Sequence, residues 1–260
     1  MKHKRLYIII LALWSLCAAL LRFCNLGSAV DELGLFISGH PSTILLVTIS
    51  GIAVAMLLGL SWRSPGRGTD HAVLTYGPIS TGLSMAAGAI LLLGVVLETQ
   101  WAALDVWNAI LLILGLSAGG AMVLLAKQRQ SGKSVPMCAL LPVLYLLFDL
   151  IFLFKAWSTD PVILDYCFQL AALIFSLLGF YGSAGFCFDL GHSRKTLFYC
   201  ACGIFFSAIA MADGLHEASL GAIFSDLGRI LWLIPIVLCL LRPRQAPSPE
   251  APADKVETNR

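Results

Sequence analysis

Residues 137–156 read MCALLPVLYLLFDLIFLFKA, and only Asp149 and Lys155 carry charge among them. Twenty residues at about 1.5 Å each make a helix of about 30 Å, the thickness of a bilayer's hydrocarbon core. The apolar run is continuous rather than alternating, which predicts a helix and not a barrel strand. Outward from this stretch, the same reading applies to 6–24, 43–62, 72–97, 102–126, 162–188, 196–212 and 219–241. The composition agrees. The 260 residues are 58% hydrophobic and 12% charged, with a mean hydropathy of +0.86, whereas soluble domains carry roughly 25% charge. A soluble globular enzyme and a disordered chain are both excluded. The sequence therefore predicts an all-α polytopic membrane bundle of eight transmembrane helices over residues 1–241. Residues 242–260, with Pro243, Pro247, Pro249 and Pro252, read as a disordered cytoplasmic tail.

The first span follows a basic start, Lys2, Lys4 and Arg5, and no small-residue cleavage site follows it. It reads as a retained signal anchor. Lys and Arg set the orientation. With the N-terminus inside, Lys2, Lys4, Arg5, Arg63, Arg67, Lys127, Arg129, Lys133, Arg194, Lys195, Arg242 and Arg244 all fall on the cytoplasmic side. The outer side collects Asp31, Glu32, Glu98, Asp105, Asp160, Asp165, Asp213, Glu217 and Asp226. Both termini are expected in the cytoplasm, and the bias fits a bacterial cytoplasmic membrane. The net charge of +2 gives no reason to expect a nucleic-acid partner.

The two halves resemble one another, predicting parallel four-helix repeats at 1–130 and 131–241. Pro41 and Pro161 each open a span, and 18 residues on lie the similar runs around Gly59 and Gly179. Gly88 precedes Glu98 by the interval that separates Gly203 from Asp213, and Arg22 and Lys155 end corresponding spans. An even number of helices per unit places the symmetry axis along the membrane normal. Gly51, Ala55 and Gly59 form a small-residue stripe, and Gly115 and Gly119 a GxxxG. Both are expected to pack within the bundle, with a homodimer or partner face as the alternative use. Pro78, Pro142 and Pro235 are expected to kink the third, fifth and eighth helices.

Ionisable residues inside a span mark candidate sites. Asp149 lies about seven residues, or roughly 10 Å, from the outer end of the fifth helix. Arg229 lies at similar depth in the eighth, which predicts a direct pair. Asn108 and Gln169 fall near the same level. Asp105, Asp165 and Asp226 lie above, each three or four residues from one of these and so on the same helix face. Tyr145 stands in that relation to Asp149. Together they predict an outward-facing polar pocket with acidic residues at its mouth, suited to a small polar or cationic solute. The structural alternative is a set of polar contacts that fixes helix register. Thr75, Tyr76, Ser80, Thr81 and Ser84 either line a path inward or bond to their own helix backbone.

No cofactor or metal is expected. The eight cysteines contain no CxxC and read as small packing residues. Asp213-Gly-Leu-His216-Glu217 reads as a solvated turn. No Gly-x-Ser-x-Gly or His-Glu-x-x-His occurs, so an enzyme is not expected. The leading expectation is solute binding or transport in contact with the lipid bilayer. The alternative is a non-catalytic membrane subunit or sensor acting through helix–helix contacts with partner membrane proteins.

Overall fold

A computed structural model describes residues 2–29, 40–64, 66, 68–99, 105–158 and 163–242. Every regular element among them is helical. The long helices are α1 (Lys2–Ser28), α2 (Pro41–Arg63), α3 (Pro78–Glu98), α4 (Val106–Gln130), α5 (Pro136–Trp157), α6 (Ile163–Gly185), α7 (Ser193–His216) and α8 (Leu220–Leu240). All eight contain a segment long and apolar enough to cross a membrane. In hydrocarbon only a helix satisfies every backbone N–H and C=O within one segment, so such runs must be helical there. The chain is a multi-pass integral membrane protein.

Local chemistry sets the helix ends. Proline opens α2, α3 and α5, where its missing N–H removes no intrahelical bond. Asp105 caps α4 by accepting from the Asn108 amide, and Ser219 caps α8 by accepting from that of Ala222. Pro78 therefore starts α3 and does not kink it. The chain before it, His71–Leu74, forms a short 3₁₀ turn, so the third span begins later than hydropathy suggested. Pro142 and Pro235 do lie inside α5 and α8.

Six helices close a ring in the order α3, α4, α5, α6, α7, α8, with α8 packed back on α3. Helices α1 and α2 lie against the outside of α7, which is the most enclosed span. The face holding the start of α1 and the end of α8 is the near face, and the opposite one the far face. The pairs α1–α2 and α5–α6 both pack, as do α3–α4 and α7–α8, but α6 also packs on the helix that follows it, α7, whereas α2 also packs on the distant α7. The further contacts of α2 and α6 thus differ from those an exact correspondence between the halves would give. Pro161, one of its markers, lies outside the described residues, as do Asp31, Glu32, Asp160 and the tail beyond residue 242.

Glycines line a close seam between α3 and α8. A methyl on Gly94 would lie 2.6 Å from the Ser225 amide nitrogen, and one on Gly221 2.7 Å from that of Glu98. Only an absent side chain permits backbones this near. Gly115 and Gly119 pack within the bundle, against Val95 and Leu92 of α3. The α2 stripe does not. Gly51, Ala55 and Gly59 are exposed, and a methyl on either glycine would meet nothing within 4 Å. Spacing identifies a face that permits close packing, but it does not say which neighbour uses it.

Candidate solute-binding site

The far ends of α3, α4 and α5 enclose a cavity of about 260 Å³. Glu98 and Thr99 border it from α3, Asn108 from α4, and Tyr145 and Asp149 from α5, with Val95, Leu111, Leu112 and Phe152 as apolar walls. Arg229 of α8 reaches this layer. Its Nη1 lies 3.5 Å from Asp149 Oδ2, and its Nη2 donates to Asp226 Oδ1 at 2.6 Å. One guanidinium thus joins two helices through two carboxylates. Its Nε is buried and has no hydrogen-bond partner among the described residues.

The two carboxylates differ in surroundings. The Asp226 side chain is 5% exposed, whereas that of Asp149 is 24% exposed where it borders the cavity. Glu98 Oε2 accepts from Ser225 Oγ at 3.2 Å across the α3–α8 seam. Two carboxylates therefore share one guanidinium, and a third, Glu98, borders the same cavity as Asp149. In a region of low dielectric, uncompensated negative charge is costly and favours a cation or proton nearby.

Asp149, Arg229 and Asn108 come together here, as equal depth predicted. Asp226 also joins them, but as a buried partner of Arg229 and not at a mouth. Asp105 is occupied as the exposed cap of α4. Gln169 is half-buried on α6 and is not among the residues lining the cavity. Asp165 lies in the first turn of α6, and its side chain is outside the described part. Glu98 borders the cavity although sequence reading had placed it only among the outer acids. Its position as the last residue of a span, on the helix face of Val95, was the available signal.

Two further polar clusters also stand apart from expectation. Arg22 Nε donates to Asp213 Oδ1 at 2.6 Å, with both side chains almost wholly buried. Asn25 extends the network by donating to Ser42 and Thr43 of α2. Asp213 is thus part of α7 and not of a solvated turn. Lys155, expected from the sequence to correspond to Arg22, is instead exposed and lies 5.1 Å from the Trp107 ring. Near the other face, Arg129 is buried inside the bundle instead of in a loop. It donates to Tyr76 Oη at 2.6 Å and to the Ser183 carbonyl, and it stacks over the Tyr76 and Trp232 rings. Burial pushes the Tyr76 phenol above its ordinary pKa, which keeps it a neutral acceptor for this guanidinium. Thr75 and Thr81 hydroxyls bond to the carbonyls of Ala72 and Gly77, the local alternative to lining a path.

No protein-family model matches the chain, and no curated protein or solved structure is similar to it.

Proposed function

We propose that the chain binds a small cationic or polar solute in the far-face cavity and transports it or reports its presence. The observation that carries this reading is the pair of carboxylates, Glu98 and Asp149, bordering an open cavity while the nearby Arg229 is shared between Asp149 and Asp226. About 260 Å³ lies just below the usual range for drug-sized ligands, so an amine or amino-acid-sized solute fits best. Tyr145 and Asn108 add neutral hydrogen-bonding groups for orientation. Basic residues gather at the near face, so the far face is proposed to be the outer one, with both termini in the cytoplasm of a cell membrane. The role is one of binding, not catalysis.

A thermal-shift screen of the purified protein in detergent tests this reading, with wild type beside Asp149→Asn against metal ions, amines, amino acids and nucleosides. A ligand that binds the folded state raises the midpoint. The expected result is a compound that stabilises wild type and loses that effect in Asp149→Asn. A shift of equal size in both proteins would remove Asp149 from the site. A panel with no shift, beside a lowered Asp149→Asn midpoint, would leave the pair a structural one.

One observation favours the alternative of a partner-binding membrane subunit: the open Gly51, Ala55 and Gly59 face of α2. Crowding that face is the discriminating change. Ala55→Leu should then lower self-association or co-purification of a partner while leaving solute binding intact.

A further inference from the structure

A second concavity, of about 560 Å³, opens at the near face between the end of α2 and the start of α7. We propose that it holds one anionic glycerophospholipid, with an acyl chain between α2 and α7 and the phosphate at the basic rim. Its walls are Leu58 and Trp62 from α2 and Phe198 and Tyr199 from α7. From Leu58 to Trp62 the groove follows the last turns of α2 for about 6 Å, at about 1.5 Å per residue. That places it where hydrocarbon gives way to headgroups, the level at which exposed Trp and Tyr rings settle.

Charge selects the class of lipid. Arg194 and Lys195 line the groove, and no carboxylate is among the described residues that line it. Arg194 Nε donates to the Ser64 carbonyl at 3.1 Å, which ties the guanidinium to the α2 end of the groove. Arg63, exposed in the last turn of α2, adds a third positive charge to this face. A zwitterionic headgroup gains little from such a rim, whereas each basic residue near anionic lipid contributes about 1 kcal/mol. The apolar walls in turn exclude a free anion as the natural occupant, because phosphate alone would leave them exposed. This site is separate from the far-face cavity, so its test stands apart from the proposed solute binding.

Native mass spectrometry of the full chain in detergent tests the proposal, using phosphatidylglycerol and phosphatidylcholine with the same acyl chains. Phosphatidylglycerol is expected to be retained preferentially. Lys195→Gln should reduce that preference about fivefold, and Arg194→Gln with Lys195→Gln should reduce it further. Lys195→Arg should preserve it, which separates loss of charge from loss of fold. Leu58→Trp keeps every charge but fills the groove, and is expected to lower phosphatidylglycerol retention. Far-UV circular dichroism melts matching wild type confirm that each variant is folded. Equal retention of the two lipids, a preference unchanged by Lys195→Gln, phosphatidylglycerol retention unchanged by Leu58→Trp, or displacement of phosphatidylglycerol by inorganic phosphate would each overturn the proposal.

Discussion

Arg229 has two carboxylate partners, and replacing them one at a time separates a clamp from an exchangeable partner. Asp226 accepts at 2.6 Å and is 5% exposed, whereas Asp149 lies at 3.5 Å and is 24% exposed. At an effective dielectric of about 20 the gross attractions are about 6 and 5 kcal/mol, too similar to distinguish the two. Solvation distinguishes them. Asp226→Asn removes the hydrogen-bonded counter-charge of a buried guanidinium, a loss of about 3–5 kcal/mol in comparable settings. The remaining Asp149 and the new amide oxygen bring the cost to the lower end, about 3 kcal/mol. Asp149 borders the cavity, where solvent screens the pair, so Asp149→Asn should cost about 1 kcal/mol. With about 2–4 °C per kcal/mol for a chain of this size, the midpoints should fall by about 6–12 °C and about 2–4 °C respectively. Far-UV circular dichroism melts in detergent read both. Equal losses, or a larger loss for Asp149→Asn, would refute the division of roles.

Three other expectations follow from the packing. Arg22→Met and Asp213→Leu should each destabilise by about 3–5 kcal/mol, while the double variant should recover most of that loss, because the unpaired buried charge is gone; a thermal double-mutant cycle measures the recovery. Gly94→Ala places a methyl 2.6 Å from the Ser225 amide nitrogen and should cost about 1–3 kcal/mol by overpacking, whereas Gly59→Ala should leave the melting midpoint nearly unchanged. The His71 backbone N–H donates to Asp189 and holds its carboxyl below the usual carboxylate range. Any stability it contributes is present above the unfolded pKa of about 4 and is lost as pH falls through the lower folded value. Carboxyl NMR titration should therefore place Asp189 below that reference, and His71→Ala should preserve much of the depression because the backbone donor remains.

Hydropathy made the spans legible because a membrane helix buries nearly every position, and each run therefore stands out without its neighbours. Equal depth made the Asp149–Arg229 pair legible for the same reason: position along a span is a coordinate the sequence carries. Helix ends were harder. The apolar runs 102–126 and 196–212 stop just before Lys127 and Asp213, so Arg129 and Asp213 read as belonging to connections although their helices continue past them. Both are buried because specific neighbours, Arg22 and the Tyr76 and Trp232 rings, lie across the bundle. Rotational placement was harder still. Nothing local in Gly51, Ala55 and Gly59 says that they face outward, or in Gly94 and Gly221 that they meet α8 and α3.

The α3–α8 seam bears on how the far cavity could admit a solute. Close packing at Gly94 and Gly221 ties the α3 wall, with Glu98, to α8, which carries Ser225, Asp226 and Arg229. The opposite wall is α5, which packs on α4 and α6, carries Pro142 in its interior and reaches Arg229 through the 3.5 Å contact of Asp149. A proline leaves one carbonyl without its helical partner and makes a bend there inexpensive. Entry is thus expected to swing α5 away from a stationary α8. Spin labels across α3 and α8 should keep their separation when solute is added, while a pair across α5 and α8 should report the movement.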